Sequence, residues 1–227
     1  MQANGGWNEL LDFRRVAIVG PAGYLENKEN GSFIDSFDIV ARVGDNFPRE
    51  ADFKDYGART DLILDVCANW VDSPDRMIDK QRYVQTITGK HIRFLMPDLY
   101  TGRRNLLLWN RPKELFKTSL TSEATYENLK KETLAPPTKG LVAIADLLET
   151  KIEQLYVTGF SFFHKPLSQK VYADFYYPED KTGIDRTDDS SGHHSFKNEW
   201  NYFKRLANSD RRIWVDPWLM EAVKMDL

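Results

Sequence analysis

Residues Arg15-Val-Ala-Ile-Val-Gly-Pro-Ala-Gly-Tyr24 constrain the fold of this chain more than any other stretch. The apolar run Val16–Val19 passes straight into Gly20-Pro21-Ala22-Gly23. A short apolar run closed by small residues reads as a buried strand that ends in a tight turn. With no bulky side chain in the way, such a turn lets backbone N–H groups come close to a phosphate. Taken alone, it fits an anion cradle and a turn without a ligand equally well.

The rest of the chain repeats the theme. Apolar runs recur at Phe33–Gly44, Asp61–Val66, His91–Pro97, Ile152–Phe160 and Arg211–Pro217. Helical patterns separate them, including a polar stretch at Lys113–Glu132 and a segment opened by Ser73-Pro74-Asp75 that runs toward Gly89. Met1–Arg15 reads as a lead-in whose Trp7, Leu10, Leu11 and Phe13 cover the edge of the core. Asp45–Thr60 reads as loop with a short helical piece, and Trp218–Leu227 as a closing helix. Strands alternating with helices predict an α/β fold, a mostly parallel twisted sheet with helices on both faces. At 227 residues and 41% hydrophobic content, with no repeat and no linker, the chain is expected to form one domain over residues 1–227.

Composition narrows the partners. A formal charge of −3 gives no electrostatic reason to expect nucleic acid. No apolar run is long enough to span a membrane, and Met1–Phe13 lacks the basic start and apolar core of a signal peptide. Cys67 is the only cysteine, so no intramolecular disulfide can form, and it reads as a small apolar filler. A cytoplasmic, reducing compartment is the expectation, although a lumenal domain trimmed of its anchor reads the same way.

Two later stretches carry chemistry. In Ala135-Pro-Pro-Thr-Lys-Gly140, followed by Leu141–Leu148, a rigid proline loop and a capping threonine deliver a helix amino terminus. Its N–H groups and dipole favour an anion, and Lys139 adds a full positive charge. A well-capped core helix with no ligand is the alternative. Further on, Phe196, Trp200, Phe203 and Leu206 mark an amphipathic helix. It places His194 just before the first turn, where a neutral imidazole can accept a proton.

Three of these segments, in this order, resemble the sialyltransferase superfamily of eukaryotic type (glycosyltransferase family 29-like). The first motif is matched by the strand, Gly20, Gly23, Asp35-Ser-Phe-Asp38 and Arg42, a cation placed to lie beside the turn. Pro21 and Ala22 stand where the family has asparagine and serine. Gly44 replaces a closing asparagine, with Asn46 close by. The second motif is matched from Pro137-Thr138-Lys139-Gly140 to Gly159-Phe160, and His194-x4-Glu199 matches the short last motif. A third, aromatic motif is matched loosely by Tyr176 and Tyr177. The family's paired cysteines are replaced by Val16 and Ile152.

The resemblance implies a Rossmann-like variant of the GT-A glycosyltransferase fold. It also implies inverting, metal-independent transfer of sialic acid from a CMP-activated donor to a glycan acceptor, with no cofactor. His194 would act as base, and Glu199, its motif partner, would be the second catalytic residue. Gly20, Pro21, Ala22, Gly23, Arg42, Asn46, Thr138, Lys139, Gly140, Gly159, Phe160, Tyr176 and Tyr177 would bind the donor. No aspartate-x-aspartate triplet occurs, and Asp188-Asp189 reads as solvated charge. The alternatives are transfer of another CMP-linked acidic sugar such as Kdo, and a non-catalytic nucleotide-binding domain. A nicotinamide oxidoreductase fits less well, because the third glycine and an acid closing the second strand are missing. His91, His164 and the pair Arg103-Arg104 are weaker site candidates.

Overall fold

A computed structural model of the chain describes residues 5–44, 47–65, 91–94, 117–163 and 194–225. Among these residues, seven strands join in one sheet: β1 (Arg15–Val19), β2 (Ile39–Val43), β3 (Leu62–Asp65), β4 (His91–Phe94), β5 (Lys117–Leu120), β6 (Gln154–Thr158) and β7 (Ile213–Val215). Their order is β5-β4-β3-β2-β1-β6-β7, and every neighbouring pair is parallel. The sequence expectation of a mostly parallel sheet is met. Both neighbours of β1 are paired in register, Val19 with Arg42 on one side and with Thr158 on the other.

Alternation along the strands divides the core. Val16 and Ile18 point into the larger cluster, shared with helices α1 (Gly5–Leu11), α4 (Glu123–Thr133), α5 (Lys139–Leu148), α6 (Phe196–Ser209) and α7 (Pro217–Met225). Ala17 and Val19 point the other way, with Val40 and Tyr156, under Ile34 of helix α2 (Gly31–Asp35) and Phe37. A further short helix, α3 (Phe53–Tyr56), lies between β2 and β3 and packs on α2. Complete burial of a Val, Leu or Ile side chain contributes roughly 1.5–3 kcal/mol, so β1 and β6 anchor the fold.

Helix α5 is central. Leu141, Val142, Ala143, Ile144 and Leu147 are all buried, and so is Asp146. That carboxylate is matched by the buried Arg93 of β4, with bonds of 2.6 and 2.7 Å. The guanidinium also lies over the Trp7 ring, 4.4 Å from its centroid. An ion pair this deep is tolerated because both charges are matched by two-pronged geometry. A five-residue connection leads from α5 into β6, so the helix runs antiparallel to the strands and its amino terminus lies at their carboxyl edge.

Some sequence expectations need correction. Lys117–Leu120 forms edge strand β5 instead of helix, because β4 supplies the pairing that its polar composition does not announce. The run from Phe33 is not one strand: Gly31–Asp35 is helical and the strand starts at Ile39. Phe13 does not cover the core, being 75% exposed, whereas Trp7 and Leu11 do. Asn46, Cys67, the Asp75–Gly89 segment, Arg103, Arg104, His164, Tyr176, Tyr177, Asp188, Asp189 and His193 lie outside the described residues. Among the described residues, no helix is long and apolar enough to cross a membrane.

Candidate active site

The carboxyl ends of β1 and β6 meet backbone to backbone. A methyl group on Gly20 would run into the Gly159 carbonyl, and one on Gly159 would run into Gly20. Gly159 also holds φ +73°, which disfavours any other residue there. This crossing consumes two of the N–H groups expected to cradle an anion. Gly20 N–H donates to Thr158 O at 2.9 Å and Ala22 N–H to Gly159 O at 2.8 Å, while Pro21 has none. Gly20 is thus a glycine for close strand packing, and it and Ala22 give their N–H groups to β6 and the residue after it, which corrects the reading of these two as part of a backbone phosphate cradle. Gly23 begins a short 3₁₀ turn, Gly23–Leu25.

The carboxyl end of β6 is capped from within. The Tyr24 hydroxyl accepts the N–H groups of Gly159 (2.8 Å) and Phe160 (3.2 Å) and donates to Asp216 at 2.6 Å. Asp216 also accepts the Leu219 N–H at 2.8 Å, capping α7. Burial raises both the Tyr24 phenol and the Asp216 carboxyl above their ordinary values, and the negative charge of Asp216 adds to the shift of the phenol. Gly159 and Phe160, expected to meet a donor, give their N–H groups to this network instead. Sequence reading missed Tyr24 and Asp216, since a tyrosine after a glycine turn and an aspartate before a proline carry no motif.

Arg42 is likewise internal. Its side chain, in a residue only 1% exposed, donates to the carbonyls of Tyr56, Gly57 and Arg59 and to the Thr60 hydroxyl at 2.9–3.1 Å. Although its backbone lies beside Val19, its guanidinium organises the loop before β3, which corrects its placement beside the first turn.

The amino terminus of α5 presents a different picture. Thr138 caps the helix through its side chain, and the first intrahelical bond runs from Val142 N–H to Thr138 O. The N–H groups of Lys139 and Gly140 come before that bond, at the positive end of the helix. Lys139 Nζ donates to Asp65 Oδ1 at 3.1 Å, tying the terminus to the end of β3. Gly140 rests on the Phe160 ring: a methyl group there would sit 3.0 Å from Cε1.

Helix α6 grips the same loop at two points. The buried Glu199 accepts the Thr138 N–H (2.8 Å) and its hydroxyl (2.6 Å). Burial pushes its carboxyl up to about 7, against the opposing pull of the two Thr138 bonds. Glu199 therefore positions the α5 cap, which corrects its expected catalytic role. One turn earlier, His194 Nδ1 lies 2.7 Å from Pro136 O. A carbonyl only accepts, so Nδ1 carries a proton, and in the neutral tautomer that this selects the lone pair is on Nε2. Beside it, Phe196 packs against Phe163 with rings tilted by 32° and centroids 3.9 Å apart, and lies 6.1 Å from the imidazole. Phe162 and Phe163 hold φ of 44° and 57°, strained for aromatic residues, and are kept there by Phe203 and Phe196 respectively.

The model of glycosyltransferase family 29 (sialyltransferase) matches residues 6–211. The chain belongs to this family. It is accordingly a glycosyltransferase of sialyltransferase type. The fold is shared with solved sialyltransferases, each at low identity. A mammalian sialyltransferase in complex with Gal-beta-1-3GalNAc-ortho-nitrophenol superposes with a TM-score of 0.57 at 16% identity, over 92% of this chain and 71% of that one. Sialyltransferase CstII from Campylobacter jejuni with cytidine-5'-monophosphate gives 0.56 at 10% identity, over 90% and 80%. The apo alpha-2,3-sialyltransferase from the same organism gives 0.54 at 17%, over 92% and 78%. No curated protein matches the sequence.

Within this family-29 chain the described site is one cluster. His194, Glu199, Thr138, Lys139 and Gly140 come together on the Pro136–Gly140 loop. Gly20, Gly159 and Phe160 form its floor.

Proposed function

We propose that this protein moves sialic acid from CMP-sialic acid to a hydroxyl of a glycan, with inversion and without a metal. The reading is carried by one observation: the same loop orients the His194 base, through Pro136 O, and delivers the α5 terminus, through Thr138. In the step, the acceptor oxygen attacks the anomeric carbon and its proton goes to His194 Nε2. The bond between that carbon and the phosphate oxygen breaks, and CMP departs as a phosphate monoester. The sugar is oxocarbenium-like in the transition state while negative charge grows on the phosphate. The N–H groups of Lys139 and Gly140, with the Lys139 ammonium, stabilise that charge where a metal otherwise serves.

Absence of an aspartate-x-aspartate triplet supports the metal-free reading, and transfer that persists in EDTA is its check. One domain over residues 1–227 is proposed as well, on the continuity of the sheet from β5 to β7. A reducing compartment fits the lone cysteine and the buried Val16 and Ile152 at the family's cysteine positions.

The experiment is incubation with CMP-sialic acid or CMP-Kdo, with and without glycan acceptors, reading CMP release. Acceptor-dependent release from CMP-sialic acid is expected. Release from CMP-Kdo alone reassigns the sugar, and CMP binding without release under any condition leaves a non-catalytic nucleotide-binding domain.

A further inference from the structure

The Phe160 ring touches both glycines of the cluster. A methyl group on Gly20 would lie 3.0 Å from its Cδ2, and one on Gly140 would lie 3.0 Å from its Cε1. Those glycines belong to segments more than a hundred residues apart, the turn after β1 and the amino terminus of α5. The ring is only 6% exposed, so it offers little surface to a ligand. It is also held firmly. Its backbone N–H is fixed on the Tyr24 hydroxyl, which is fixed on Asp216. The ring stacks on Phe162 at 5.8 Å, and Phe162 stacks on Phe203 at 4.3 Å.

We propose that Phe160 is a positioning residue, a rigid spacer whose ring holds the α5 terminus at a set distance above the Gly20 floor, and so sets the seat of the cytidylate phosphate at that terminus. This rests on the donor reading above. Contact with both glycines means a smaller side chain lets the two segments approach, while extra bulk on Gly140 drives them apart. Interiors are close-packed, so a change of one methyl group is transmitted to the neighbours and not absorbed. Binding geometry tolerates such a shift poorly.

The test is a cycle of Phe160→Leu, Gly140→Ala and the double variant, read by CMP calorimetry, steady-state kinetics, thermal melting and crystal structures. Each single variant is expected to weaken CMP binding by about tenfold and to raise donor KM more than it lowers kcat. The double variant, with volume partly restored, is expected to bind CMP more tightly than either single one. That rescue separates a spacer from simple obstruction, because a methyl group blocking the phosphate at Gly140 is not relieved by changing Phe160. Folded single variants that bind CMP like the parent overturn the spacer. If Phe160→Leu does not fold, unchanged CMP affinity in Gly140→Ala overturns it alone. A parent that does not bind CMP sinks the donor reading instead. The Gly20–Gly140 Cα separation in Phe160→Leu crystals still decides the spacer, an unchanged value overturning it.

Discussion

Glu199 and Thr138 are joined twice, the carboxylate taking the backbone N–H at 2.8 Å and the hydroxyl at 2.6 Å from a residue 61 positions earlier. The same threonine caps α5 through the Leu141 N–H, so a buried acid on one helix holds the start of another. Its carboxyl titrates near 7 because burial outweighs those two bonds.

Stability should fall across the range between the ordinary carboxylate value and neutrality. The folded protein holds the Glu199 proton more tightly than the unfolded chain does. The contribution is therefore complete in acid, declines as pH rises to about 7, and is flat above it. It amounts to roughly 3 kcal/mol. Thermal melts of the parent and Glu199→Gln from about pH 5 to 8 check this, the glutamine variant losing that part of the slope. Identical slopes in the two proteins would remove Glu199 as the source.

His194→Ala should lower kcat for transfer by about 10²–10⁴-fold with CMP affinity nearly unchanged. Initial rates alongside calorimetry make the comparison. An unaltered rate strips His194 of its role as base.

Tyr24→Phe keeps the ring and deletes the oxygen that joins Gly159, Phe160 and Asp216. Two N–H groups and a buried carboxylate lose a partner together, so unfolding free energy should drop by about 2–3 kcal/mol. Urea melts measure it, and a drop below about 0.5 kcal/mol would mean the network is replaceable by water.

Arg42→Met should destabilise by about 3 kcal/mol or more, since the carbonyls of residues 56, 57 and 59 lose a buried donor. CMP affinity of the folded variant is expected to match the parent. A selective loss of CMP binding with little change in melting would return Arg42 to the donor site.

Much of this was readable from residues. The apolar runs of β1 and β6 and the i, i+4, i+7 pattern of α6 dictate their elements locally, and the three motifs gave the family. Elements and contacts fixed by distant partners were not readable. Lys117–Leu120 is a strand only because β4 lies beside it. Tyr24 and Asp216 are 192 residues apart, and nothing in either neighbourhood names the other. Arg42 and the first glycine turn illustrate the opposite failure. Their residue types suit an anion, but burial and strand crossing turn the guanidinium and two of the N–H groups to internal partners. A single sequence does not show which demand a glycine answers.

The grip of α6 on the Pro136–Thr138 loop has a consequence for how this protein diversifies. In the proposed reaction, proton removal and leaving-group stabilisation are geared to one short segment, so a drift in its backbone would detune both at once. On that mechanism, changes that alter which acceptor is taken would be confined to surfaces away from that segment, where a new preference does not unsettle the reaction itself.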